Sequence, residues 1–129
     1  MRRTDQRRDA VFALYQHEVT GRPLPELLEG SRPFTRALAE GVEGSREELD
    51  QRIATHAHGW DLSRIAPLER SIMRVALYES RHCDDIPDEV ALDEAVGFAK
   101  EFCGSEAPGF VNGVLGAAVR ADRNGGAGS

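Results

Sequence analysis

Apolar positions recur along this chain every three or four residues, in short stretches punctuated by Gly and Pro. The first stretch runs from about Thr4 to Val19. In it Val11, Leu14, Tyr15 and Val19 fall at i, i+3, i+4 and i+8 and make one stripe. Thr20-Gly21-Arg22-Pro23 stops it. A short helix is expected from Pro25 through Leu27 and Leu28 to Gly30, and Pro33 opens another that carries Phe34, Leu38 and Val42. Ser45 reads as the N-cap of a further helix, with Glu48 three residues on to close a capping box and Leu49 and Ile53 on its inner face. Trp60-Asp61-Leu62 begins a connector.

Pro67 suits the first turn of the strongest helix in the chain, whose stripe is Leu68, Ile72, Val75 and Ala76, widened by Leu77 and Tyr78. After the loop Asp84-Asp85-Ile86-Pro87, Asp93 is expected to cap a helix bearing Val96, Ala99, Phe102 and Cys103. The last helix follows Pro108-Gly109 and carries Val111, Val114, Leu115 and Ala118. No segment alternates strictly between apolar and polar. The expected architecture is an all-α compact bundle of about six to seven helices over residues 1–123, with a disordered Gly-rich tail at 124–129.

Composition narrows the function more than the fold. A chain of 129 residues with 40% hydrophobic residues supports one core and one domain. No apolar run reaches the roughly 18–20 residues of a membrane span, and Met1 to Arg8 lacks the features of a signal peptide, so a cytoplasmic protein is expected. Two cysteines, Cys83 and Cys103, make no disulfide framework and read as small buried apolar residues. The four histidines form no ligand cluster, and no nucleophile motif or Gly-rich phosphate loop is present. No metal, no cofactor and no enzymatic activity are therefore expected.

The net charge of −6 is unevenly divided. The side chains of residues 1–8 sum to +3, and the remainder of the chain carries −9. A basic arm on an acidic body points to an anionic partner, most often nucleic acid. Arg3 and Arg7 lie one helical turn apart, as do Arg70 and Arg74. Their planar guanidinium groups suit phosphate oxygens and stack on bases. The alternative for the arm is a frayed, solvated terminus. Tyr15, Tyr78 and Phe110 each fit either an amphipathic core position or an exposed ring.

Four segments together resemble the NusB family of transcription antitermination factors. They are Arg7-Arg8-Asp9-Ala10-Val11 leading to Ala13-Leu14-Tyr15-Gln16, the block Glu69 to Glu79, the stretch from Asp85-Ile86-Pro87 through Val90 to Val96 and on to Ala99-Lys100, and Phe110-Val111-Asn112-Gly113-Val114-Leu115. Order and spacing both fit, over about residues 2–120. The resemblance implies a non-catalytic helical protein that binds the single-stranded boxA element of ribosomal RNA leaders together with NusE, a small-subunit ribosomal protein. The pair joins an elongating RNA polymerase complex and suppresses premature termination. It implies that Arg2, Arg3, Arg7 and Arg8 meet RNA, with Arg74, Phe110 and Asn112 on or near the same face, and that Tyr15 and Glu79 meet NusE. The family often has Asn where Asp93 stands and Asp where Gly116 stands, so any contact from the latter side chain is absent.

If the arm neutralises about four phosphates, log affinity falls with log salt at roughly −0.7 × 4, near −3. Two other readings compete. One is a homodimeric protein-interaction module whose interface hides the arm. The other is a domain of this fold attached to an RNA methyltransferase, for which the chain has neither the length nor a cofactor loop.

Overall fold

The computed structural model describes residues 1–128, with side chains to Asn124. Seven α-helices and one 3₁₀ turn account for the architecture, with no strand among the described residues. The helices are α1 (Arg3–Thr20), α2 (Leu24–Leu27), α3 (Pro33–Gly44), α4 (Arg46–His56), α5 (Pro67–His82), α6 (Asp88–Phe102) and α7 (Ala107–Gly128), with the 3₁₀ turn at Leu62–Arg64. α7 continues over residues 124–128, where a disordered tail is expected, and Ser129 lies outside the described residues.

α5 is the axis of the bundle. Seven successive residues, Ser71 to Leu77, are buried, so the helix is covered on every side, and α1, α3, α4, α6 and α7 all pack against it. Pro67 occupies its first turn, where a missing N–H costs nothing, and Pro33 does the same for α3. α1 ends at Gly21, whose φ of 76° is left-handed and whose N–H closes on the His17 carbonyl at 3.1 Å. Tyr78 lies across α3 at Gly41, where a Cβ would fall 2.1 Å from the phenol ring. Only a residue without a side chain lets the ring sit there.

Three local expectations are corrected. α6 begins at Asp88, directly after Pro87, with Asp88 and Glu89 in its first turn, so Asp93 is an exposed mid-helix residue and not a cap. Proline's fixed φ and the acidic first turn start the helix six residues earlier than a cap at Asp93 implies. Ser45 flanks α4, but its side chain makes no capping bond. It is the only residue between α3 and α4, and its N–H bonds back to the Gly41 and Val42 carbonyls. That holds it at φ −114°, ψ 13°, away from the extended conformation an N-cap needs. α2 and α7 each start just before the proline that marked them, at Leu24 and Ala107.

Candidate functional site

α1 and α5 run antiparallel, and their charges are matched end to end. On α1 the buried stripe Ala10, Val11, Leu14 is continued by Arg7 at one end and Glu18 at the other. On α5 the stripe runs from Arg70 and Arg74 to Glu79. Arg7, 8% exposed, donates from Nε to both carboxylate oxygens of Glu79 at 2.9 and 2.7 Å, and Glu79 is 1% exposed. The second end is a network: Arg70 donates to Glu18 at 2.6 Å, and Arg74 donates to Glu18 at 3.0 Å and to Asp50 of α4 at 2.6 Å.

Burial alone would lower the Arg7 and Arg74 pKa values. The hydrogen bonds and charges of Glu79, and of Asp50 and Glu18, overcome it and hold both above the ordinary guanidinium value. The same balance leaves Glu18 below the usual carboxylate range, with burial outweighed by Arg70 and Arg74.

The structure places Arg7, Arg74 and Glu79 inside the helical body and not on its surface, where contact with RNA or a protein partner is expected. All three are enclosed by their own chain and paired. Their position on the apolar stripe was the available signal. Arg7 lies four residues before Val11, and Glu79 lies four after Val75, so both point inward with the stripe.

The rest of the arm is at the surface. Arg2 pairs with Asp5 at 3.6 Å and is largely exposed. Arg3 donates to Asp85 at 3.0 Å, and its guanidinium sits 4.5 Å from the centre of the Phe34 ring. Arg8 pairs with Glu101 and lies 5.5 Å from the ring of Phe102, which is 43% exposed and packs edge-on against Phe12. Each surface guanidinium of the arm is thus held by a carboxylate of its own chain. Exposed pairs of this kind contribute only about 0–1 kcal/mol, so an incoming phosphate can replace the carboxylate. Asn112 is exposed, and Tyr15 is half-buried on α1. Burial raises the pKa of both half-buried thiols, Cys83 and Cys103, which makes them poor nucleophiles at neutral pH.

A second feature escaped the sequence reading. Gly59, at φ 81°, turns the chain so that the Trp60 N–H bonds to the Ala57 carbonyl at 3.0 Å. The indole then meets the half-buried Phe110 ring edge-to-face at 5.8 Å while remaining 52% exposed. The two rings flank an open groove of about 580 Å³ between the connector and the start of α7. A lone Trp in the connector, with Phe110 open to reading as an exposed ring, was the clue to it. Among the described residues, no three His, Cys, Asp or Glu side chains are grouped to hold a metal ion. No described helix is long and apolar enough to cross a membrane.

The NusB family profile matches residues 4–120, almost the whole helical body. The chain belongs to the NusB family. A transcription antitermination protein NusB from Rubrobacter xylanophilus is 43% identical over 122 residues, covering 89% of this chain and 88% of the relative. Another from Thermobifida fusca is 43% identical over 114 residues, covering 82% and 80%. Among solved structures, T. maritima NusB superposes with a TM-score of 0.85 at 28% identity, covering 93% of this chain and 92% of that one. A crystal structure of the antitermination factors NusB and NusE in complex with double-stranded RNA shares the fold, with a TM-score of 0.81 at 23% identity over 92% and 96%. Membership of the NusB family accounts for the all-α architecture and for the four sequence blocks noted above.

Proposed function

We propose that this chain is a transcription antitermination factor that holds single-stranded boxA RNA of ribosomal RNA leaders together with NusE. Within an elongating RNA polymerase complex it suppresses premature termination and catalyses no reaction of its own. The observation that carries the proposal is membership of a family whose relatives, at 43% identity over most of the chain, are transcription antitermination proteins. The NusE half is supported by the shared fold of a NusB seen with NusE and double-stranded RNA.

The RNA-contacting set is Arg2, Arg3 and Arg8, with Phe110 and Asn112. On the NusE side it is Tyr15, with Glu79 acting only through the Arg7 pair that fixes α1 against α5. An acidic body repels RNA elsewhere, which concentrates binding on the arm and on any exposed ring that can stack a base.

The test is a salt titration of affinity for labelled boxA RNA, with and without purified NusE. Three surface arginines in place of four, the exposed Arg2 and Arg3 and the half-buried Arg8, give an expected slope of about −0.7 × 3, roughly −2. A salt-independent affinity removes the arm from the mechanism. Light scattering on the same samples addresses the dimer reading. A dimer that dissociates on adding RNA would show that the arm is hidden between two copies.

A further inference from the structure

Resting on the reading that the chain holds single-stranded RNA, we propose that the groove between Trp60 and the start of α7 takes one unstacked nucleotide of that RNA. Trp60 is its stacking face, and Glu69 is the acceptor that selects a base with an exocyclic amine.

Glu69 is the unusual residue here. It is half-buried in the groove wall and makes no ion pair or hydrogen bond among the described residues. Every other half-buried or buried carboxylate, from Asp5 to Asp122, has a basic side chain within 4.0 Å. Desolvation without such a partner pushes the Glu69 carboxyl up from its ordinary value. A chain this rich in arginine has thus left one half-buried carboxylate uncompensated, in the wall of an open groove that the exposed Glu106 also lines, beside two aromatic rings.

At the same groove stands Arg64, exposed and without an ion pair among the described residues. Ring face, carboxylate and guanidinium match the three parts of a nucleotide. An indole half in solvent stacks a base, a carboxylate accepts from an amine on the base edge, and a guanidinium meets the phosphate. The groove's volume lies within the range of small-ligand sites. A cationic side chain from a protein partner would also satisfy Glu69 and Trp60, but it would face Arg64. The nucleotide uses all three groups.

The selectivity follows from the donor pattern. Cytosine N4, adenine N6 and guanine N2 offer an exocyclic amine to a carboxylate, whereas uracil has none and its one donor, N3–H, is flanked by two carbonyl oxygens that repel the carboxylate.

Trp60 is the only tryptophan in the chain, so intrinsic fluorescence reads this groove directly. The full chain is titrated with short oligo(C), oligo(A) and oligo(U) RNA, and the anisotropy of the labelled strands is followed in parallel, with and without NusE. The expected result is indole quenching by oligo(C) and oligo(A) at several-fold lower concentration than by oligo(U). Glu69→Gln, which can donate as well as accept, brings oligo(U) level with the other two. Trp60→Ala weakens RNA binding about tenfold by anisotropy. RNA binding with an unchanged indole signal, and with Trp60→Ala neutral, overturns the groove proposal and leaves the RNA reading standing. No anisotropy change with any RNA, with or without NusE, overturns both. Quenching by a short Arg-rich peptide and not by RNA overturns the proposal in favour of a cationic protein segment.

Discussion

Arg8 and Arg7 are neighbours in sequence and opposites in the fold. Arg8 lies over Phe102 at the surface with an exposed carboxylate partner, while Arg7 is sealed against Glu79 between α1 and α5. The residue type and formal charge are the same, yet one group can exchange its partner for a phosphate and the other cannot leave without orphaning a buried carboxylate. Helix phase alone separates them: a step of one residue turns the side chain by about 100°, from core to solvent. The lesson extends to the whole arm. Its charge is a property of composition, but its availability is a property of rotation about the α1 axis.

The largest effect expected from breaking this contrast is on the buried side. Glu79→Ala leaves the enclosed Arg7 with only Glu94, 3.6 Å away at the edge of the seam, and costs about 3 kcal/mol, read as a fall in the urea midpoint. The double change Arg7→Met/Glu79→Leu removes both charges and loses far less than the single one. Equal losses would show that the pair is not coupled.

Next comes the acid limb set by Glu18. Its folded pKa lies below the ordinary value of 4.5, so its contribution is fully present above that value and is lost as the pH falls through the lower folded value. Glu18→Gln therefore lowers stability at neutral pH and flattens the acid dependence of unfolding. An unchanged acid limb would remove Glu18 from the seam's energetics.

On the surface side, Arg2→Ala/Arg3→Ala/Arg8→Ala is expected to bring the salt slope of RNA binding from about −2 toward zero while the urea midpoint moves little. A large stability loss in that triple variant would erase the distinction between arm and seam.

The smallest effect belongs to Glu69. Its folded pKa is raised, so the stability it contributes is complete below its ordinary range and declines as the pH rises through the higher folded value. Glu69→Gln is thus expected to raise the unfolding midpoint slightly at neutral pH. A lowered midpoint would mean that the carboxylate has a partner after all.

Much of this was legible in the apolar spacing. The stripes of α1, α3, α5 and α7 placed those helices, because burial of a face at a period of 3.6 leaves a regular trace whatever packs on it. The ends were less legible where a neighbour decided them. Ser45 and Glu48 spell a capping box, but α3 runs directly into α4 and claims the Ser45 N–H. Among the site residues, the arm's exposed members could be read from charge. Arg7, Arg74 and Glu79 could not, because their partners lie 24 to 72 positions away. The Trp60 groove was invisible for the same reason. Trp60 and Phe110 are fifty positions apart, and only the turn at Gly59 and the packing of α7 bring their rings together.

By itself, then, the sequence determined a helical bundle with a basic terminus on an acidic body, since amphipathic period and summed charge are local or additive quantities. The tertiary structure decided which of the charges are free and which are locked, and it left one half-buried carboxylate without a cation beside an exposed indole. Those outcomes depend on which helices meet, in which direction and in which phase, and no short stretch of sequence carries that information.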